Sequence, residues 1–344
     1  MKKCPFGSHR VLEPKGVLPQ TAWKLDNLPE IYDNEILINV RALNIDSASF
    51  NQLKKEYKNS KERIASAILD IVKTRGKMHN PVTNSGGMLI GNVEKIGSDL
   101  IKKVDINVGD EIATLVSLTL TPLSINKIKK VKLDIEQVEI DGKAILFESG
   151  IYAKLPLDLP RSLSLAVLDV CGAPAQVKRL VKKGDMVFIL GGGGKSGMLC
   201  LEQARKIIES DGILISLSSS KESCENVERL NLADIILQGD ATKPLGIFNE
   251  FIKVTKGKLA DVVINCINIS DTEMASILCT RQNGTAYFFN MSTDFTKAAL
   301  GAEGVGKDIK LLIGNGYVEG APELTLNLLR ENKELKKFYL KKYS

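Results

Sequence analysis

The chain has 344 residues, 44% of them apolar and 26% charged, which fits two globular domains and argues against long disordered tracts. Aromatic residues make up only 5%, too few for a protein that stacks nucleic-acid bases, so no nucleic-acid partner is expected. The formal charge of +6 gathers in short lysine runs such as Lys54–Lys55, Lys182–Lys183 and Lys341–Lys342, solvated segments whose field also draws anionic ligands.

The first residues carry no apolar stretch, so no signal peptide is expected, and no uncharged run is long enough for a membrane span. The six cysteines contain no C-x-x-C pair, so no structural zinc lobe and no disulfide framework are expected. Together these features point to a reducing cytoplasm. The residues leave oligomeric state open, and a homo-oligomer is compatible with them.

Taken in chain order, Glu35–Arg41 alternates apolar and polar residues like a half-buried strand, and Met88–Ile96 and Glu111–Val116 read as further strands. Between them Ile64, Ala67, Ile68, Ile71 and Val72 fall at helical spacing, which predicts an amphipathic helix over Ser60–Arg75. The loop Asn80–Gly87 follows it. Near Leu155 the pattern changes, and apolar strands alternate with helix-length segments. Met186–Leu190, Ile213–Leu217, Asp234–Leu237, Val262–Ile264, Ala286–Phe289 and Ile309–Ile313 are the strands, and a single helical segment covers Pro322–Lys337. The fold class is α/β: a β-rich domain followed by a doubly wound parallel sheet.

The segment Val187–Gly197 joins a buried strand to a helix through four consecutive glycines. Gly192, Gly194 and Gly197 satisfy G-x-G-x-x-G in strand–turn–helix context, with Gly193, Lys195 and Ser196 inside the turn. The first glycine permits the turn, the second lets backbone approach a pyrophosphate, and the third lets helix and strand pack closely. A dinucleotide is therefore the expected ligand. The rival reading is a P-loop ending Gly194-Lys195-Ser196, but its leading glycine would be Ile189. An acidic residue about 20 positions further on would bind a ribose hydroxyl and signal NAD. Here Ser218, Ser219 and Ser220 stand with Lys221, a combination that tolerates a 2′-phosphate and favours NADP, with NAD open and Glu222 nearby.

The second half resembles the coenzyme domain of the medium-chain dehydrogenase superfamily, through Lys182–Val187, the glycine turn, Leu230–Ile236 and Ala260–Ile264. Val93–Gly97 and Val108–Ile112 are similar to its GroES-like catalytic domain. The resemblance implies a GroES-like domain over 1–155, rejoined by 301–344, and a Rossmann domain over 156–300. It also implies cofactor contacts on loops after later strands: Cys266 and Asn268, then Asn290, Met291 and Ser292, then Leu312 and Gly314.

Longer strings, namely His9–Gln20, Leu43–Phe50, Arg75–Met88 and Gly191–Gly197, resemble the diaminohexanoate dehydrogenase family of anaerobic lysine fermentation. That resemblance implies oxidative deamination of a small diamino acid, L-erythro-3,5-diaminohexanoate, to 5-amino-3-oxohexanoate, with a hydride passed to NAD or NADP.

Departures from the superfamily bear on mechanism. Asp46 stands where zinc-using members carry a cysteine, and Gly86-Gly87-Met88 stands for their G-H-E. With Cys171 alone at the third position, no three-ligand site forms and no metal is expected. Asp46 is the first candidate for a proton acceptor, although an aspartate in this setting also reads as a helix cap; Asp169 and Cys171 follow. Arg10, Glu13 and Lys15 are candidates for the charged ends of the substrate. A zinc-free reductase of another carbonyl compound, or a protein that binds NADPH without chemistry, is the alternative.

Overall fold

The computed structural model describes residues 3–314 and 316–343. The chain divides into two units, Met1–Asp169 with Tyr339–Ser344, and Val170–Phe338.

The first unit opens with a 3₁₀ turn at Ser8–Arg10 and a short antiparallel pair, β1 (Val11–Glu13) with β2 (Lys24–Leu25). Then come β3 (Glu35–Ile45), α1 (Ser47–Glu56), α2 (Lys61–Arg75), β4 (Gly87–Ile96), β5 (Glu111–Thr114), β6 (Leu123–Lys132), β7 (Gln137–Phe147), β8 (Tyr152–Lys154) and α3 (Arg161–Leu168). Six strands form one antiparallel sheet in the order β6-β7-β3-β4-β5-β8. Its apolar face joins Ile36, Ile38, Val40 and Leu43 of β3 to Ile64, Ile68 and Val72, which recur every fourth residue along α2. Ser60 caps α2 by accepting from the Arg63 amide, and Gly76 ends it at φ 68°.

The long β6–β7 hairpin has no counterpart in the expectations from sequence. Lys127, Lys129, Lys130 and Lys132 on β6 hide its apolar alternation. In the structure β6 is an edge strand, where lysines discourage pairing with a second sheet. Lys132 reaches Glu139 on β7 at 2.7 Å.

The second unit comprises α4 (Gly172–Leu180), β9 (Met186–Leu190), α5 (Lys195–Ile208), β10 (Ile213–Ser218), α6 (Lys221–Arg229), β11 (Ile235–Gln238), α7 (Pro244–Val254) and β12 (Ala260–Asn265). It continues with α8 (Glu273–Cys279), β13 (Thr280–Phe288), α9 (Phe295–Gly304), β14 (Lys310–Ile313), α10 (Ala321–Glu331) and α11 (Lys333–Tyr343). Six strands pair in parallel in the order β11-β10-β9-β12-β13-β14. Every residue of β9 is buried, as its unbroken apolar run predicts for a central parallel strand. Strand order reverses between β9 and β12, the switch point at which such sheets open a crevice beyond their strand ends.

The division differs from the expected one at two places. The boundary falls after Asp169 rather than near 155, because α3 is tied back to the first sheet: Gln137 Nε2 donates to the Ser162 carbonyl at 3.0 Å, and Arg161 pairs with Glu111. Of residues 301–344 only those from Tyr339 group with the first unit. β14 is the sixth strand of the parallel sheet, and α10 packs on α4 and α5, so that stretch belongs to the second. The single helix expected over Pro322–Lys337 is two helices. Asn332 turns its side-chain oxygen to the Leu335 amide at 2.9 Å and caps the second, a local bond that competes with helix continuation. Among the described residues no helix is long and apolar enough to cross a membrane.

Candidate active site

The second unit builds a phosphate-binding turn. Gly191 leaves β9 at φ 81°, and its amide and that of Gly192 both donate to the Leu217 carbonyl. Sequence reasoning left Gly191 out of the site, although a glycine directly after a buried strand was the available signal. A Cβ on Gly197 would lie 2.1 Å from the Gly191 carbonyl, so the third glycine permits helix α5 to press against the turn. A Cβ on Gly192 would strike Ser216 Oγ at 2.1 Å, and one on Gly193 would meet Ser223 Cβ at 2.6 Å. Gly194, the N-cap of α5, is different: the nearest atom to its Cβ position is the Gly191 carbonyl at 3.2 Å, which leaves its outer side open. Lys195 and Ser196 then begin the helix, whose free amides and dipole favour an anion. Ile189 lies inside β9 at 0% exposure, so the leading glycine of a P-loop has no place here.

The serines after β10 take separate roles. Ser218 is buried, and its Oγ accepts from the Gly193 amide at 3.0 Å, so it shapes the turn rather than facing a ribose. Ser219 is exposed. Ser220 caps α6 by accepting from the Ser223 amide. Lys221 is exposed and has Glu225 at 3.6 Å one helical turn on.

The remaining loops leave the same edge of the parallel sheet. Cys266 follows β12, and its amide donates to the Leu190 carbonyl; Asn268 accepts from Ser292 Oγ at 2.9 Å. Asn290 is buried, and its Oδ1 accepts from the Ser292 amide and from Thr293 Oγ1. Met291 is exposed, while Leu312 pairs with Tyr287 inside β14 and Gly314 follows that strand at φ 75°. Asn265, which sequence reasoning missed, ties these loops together. It is fully buried; its amide donates to Thr272 and Ser276, and its Oδ1 accepts from the Ile267 amide and the Asn290 side chain. A polar residue closing the apolar run of β12 was the signal for it.

In the first unit, Asp46 stands at the end of β3 and is the N-cap of α1, so the capping reading holds. Its Oδ1 accepts from the Ser49 amide at 3.1 Å and from Ser85 Oγ at 2.8 Å. Oδ2 has only the long contact from Ser49 Oγ at 3.4 Å, so acceptor capacity remains there. Ser49 Oγ also lies 2.7 Å from Thr83 Oγ1 and 2.6 Å from Ser85 Oγ. Burial raises the Asp46 pKa above the usual aspartate value, the serine bonds oppose this, and the negative charge of Asp169 adds to the rise. Asp169 is therefore an electrostatic neighbour of Asp46. Cys171 is 4% exposed at the start of α4, its carbonyl accepts from Thr325 Oγ1, and it has the character of a small core residue.

The three N-terminal candidates separate. Arg10 is 1% exposed and gives its donors to Glu35, Asp26 and the carbonyls of Leu28 and Glu30. With its five N–H groups directed into the protein, it anchors the N-terminal segment and is withdrawn as a substrate ligand. Burial acts to raise Glu35, but bonds from His9, Arg10 and the Tyr32 amide outweigh it and hold the carboxyl at about 2. Glu13 and Lys15 are exposed, and Lys15 Nζ donates to the Val11 carbonyl at 2.7 Å.

Gly87 occupies the position matched to the metal histidine of zinc-using enzymes. Its φ is 113°, and a Cβ there would sit 1.9 Å from the Asn44 carbonyl and 2.9 Å from the Asp46 amide. No side chain fits without moving the backbone from Asn44 to Asp46. Among the described residues no group of three or more His, Cys, Asp or Glu side chains is arranged to hold a metal ion.

Residues 9–156 match the family model described as the L-erythro-3,5-diaminohexanoate dehydrogenase N-terminal domain. Over 343 residues the chain is 53% identical to L-erythro-3,5-diaminohexanoate dehydrogenase of Acetoanaerobium sticklandii, with 100% of both chains covered. The chain belongs to the L-erythro-3,5-diaminohexanoate dehydrogenase family. The enzyme of the same name from Fusobacterium nucleatum subsp. nucleatum is 54% identical over 340 residues, covering 98% of this chain and 99% of the relative. Among solved structures, CurK enoyl reductase superposes with a TM-score of 0.56 at 17% identity, covering 96% of this chain and 88% of that one. A mycobacterial protein complexed with NADPH gives 0.56 at 16% identity, covering 89% and 81%. These likenesses show the fold, a GroES-like antiparallel unit with a Rossmann parallel sheet. The family model spans Asp46, the Ser49–Thr83–Ser85 hydroxyls and Gly87.

Proposed function

We propose that the chain catalyses the NAD(P)-dependent oxidative deamination of L-erythro-3,5-diaminohexanoate at C3. The observation that carries this is full-length identity above one half with enzymes of that name, joined to a glycine turn shaped for a pyrophosphate. The balance is one ammonium carbon, one oxidised dinucleotide and one water giving a ketone, ammonium, reduced dinucleotide and a proton.

When bound, the dinucleotide accepts the hydride that leaves C3. The open face of Gly194 and the amides starting α5 fit its pyrophosphate. Hydride loss requires a neutral nitrogen, so the C3 ammonium must first give up a proton. Asp46 Oδ2 takes it in this reading, and its raised pKa brings it closer to the strength a general base needs. Ser85 and Ser49 hold the carboxylate in place through Oδ1 and the capping bond. Asp46 passes that proton to solvent, takes one from the water that adds to the iminium carbon, and returns it to the nitrogen, so that the carbinolamine collapses to the ketone with its hydroxyl proton leaving on the nitrogen as ammonium. Six free cysteines are compatible with a reducing cytoplasm.

Incubation with the diamino acid and either dinucleotide tests the reading. Growth of absorbance from reduced nicotinamide, with stoichiometric ammonia, is expected. Tight dinucleotide binding with no turnover would point to a binding protein instead.

A further inference from the structure

Three basic side chains at the end of α2 and just beyond it lie buried together. Arg75, Lys77 and His79 are 6%, 0% and 8% exposed. Among the described residues none of the three has a carboxylate partner. Arg75 donates to the Trp23 and His79 carbonyls, and its guanidinium lies 4.3 Å above the Trp23 ring. Lys77 donates to the carbonyls of Pro19 and Gln20 at 2.7 and 3.1 Å. Buried cations are ordinarily neutralised by an acid, and here neutral carbonyls do all the solvating. Burial and the Arg75 charge lower Lys77 to about 7; burial and both neighbouring charges lower His79 to about 4.

His79 adds an independent sign. Neither of its ring nitrogens has a well-formed hydrogen bond, although the ring is more than nine-tenths buried and Asn84 is near. Two unused polar atoms at such depth call for a missing partner. Their location is specific. The Asn80 amide donates to the Ser85 carbonyl at 2.9 Å, and a Cβ on Gly86 would lie 2.6 Å from the Met78 carbonyl. His79 is thus held between two close approaches to the Ser85–Gly86 stretch, and Ser85 Oγ is 2.8 Å from Asp46.

We propose that Arg75, Lys77 and His79 form the subsite for the substrate's carboxylate, with the His79 ring N–H as direct donor and the Arg75 guanidinium, joined by Lys77 when it is protonated, supplying the positive field behind it. This rests on the diamino-acid reading above. In that substrate the carboxylate carbon is separated from the reacting carbon by a single methylene, so its subsite has to adjoin the proton acceptor. The link through Ser85 meets that requirement. The same cluster repels ammonium groups and sets the orientation in which C3, not C5, meets Asp46.

The test uses hexanoate and hexylamine, each carrying one end group on the same chain, titrated calorimetrically into the full-length protein with bound dinucleotide. Hexanoate affinity should fall at least about tenfold in His79→Ala, the weight of one hydrogen bond to a charged group. It should recover in part in His79→Gln, which keeps a side-chain N–H, while hexylamine affinity stays unchanged. Equal losses for both ligands, or no loss for hexanoate, would overturn the proposal. The chain has only two histidines, His9 and His79, so the wild-type protein gives its own answer. Hexanoate should shift the imidazole resonances of His79, and unshifted resonances refute the subsite even where variants fail to fold. Hexanoate binding through His79 without oxidation of the diamino acid would keep the subsite and overturn the reaction.

Discussion

Two carboxylates in the first unit illustrate opposite outcomes of burial. Asp46 loses solvation on burial and has a second aspartate nearby, which together outweigh its bonds from serine, so its pKa rises. Glu35 lies fully buried against a guanidinium, and its pKa falls to about 2. Asp46→Asn keeps a capping oxygen, so stability should change by less than about 1 kcal/mol. Turnover should drop at least about a hundredfold, with dinucleotide affinity unchanged in a fluorescence titration. In the wild type, activity should be lost as pH falls through the raised Asp46 pKa, and that acid limb should be absent from the variant. For Glu35 the folded pKa is depressed, so its stabilisation is present above the ordinary carboxylate value of 4.5 and is lost as pH falls towards about 2. Glu35→Gln should cost about 3 kcal/mol at neutral pH and flatten stability below 4.5, checked by urea unfolding from pH 6 to 2.5. Little of this was legible from residue type. Arg10 and Asp46 sit in equally distinctive strings, yet Arg10 is saturated by partners such as Glu35, far away in sequence, while Asp46 keeps acceptor capacity beside the local bond from Ser49.

Legibility was highest where local geometry alone decides an element. The glycine turn, β9 and the capped helix α2 announce themselves through sterics and period. The β6–β7 hairpin and the break at Asn332 do not, since edge position and a competing side-chain bond arise only on folding. The turn makes a pair of linked predictions. Gly194→Asp meets one atom, the Gly191 carbonyl at 3.2 Å from its Cβ, and sets a carboxylate where a pyrophosphate would lie, so it should abolish dinucleotide binding while lowering the thermal transition only slightly. Ser219→Asp, on an exposed residue after β10, should lower the kcat/KM ratio for NADP over NAD by at least about tenfold, or about 1.4 kcal/mol. An unchanged ratio would show that the cofactor's ribose is read elsewhere. Ser218 is the wrong place for that test, because its hydroxyl already holds the Gly193 amide.

On the scale of the whole molecule, the parallel unit was readable as a class from alternating strands and helices, and the division of the chain was not. A C-terminal stretch that continues one sheet before its last residues join the other unit leaves no mark in hydrophobic period. Metal content is a property that belongs to the whole molecule and can be measured on it directly. Purified protein should carry well under one equivalent of zinc by elemental analysis, and chelators should leave turnover intact. Stoichiometric zinc lost together with activity would overturn that expectation.

The left-handed backbone at Gly87 has an evolutionary corollary. A histidine introduced there meets the Asn44 carbonyl before it can meet a metal, so a single substitution at that codon does not supply a zinc ligand. Supplying that ligand demands simultaneous rebuilding of the strand end that carries Asn44 and Asp46. The turn therefore fixes one codon by sterics alone: the surrounding hydroxyls are free to vary, while position 87 is held to glycine by the backbone it passes.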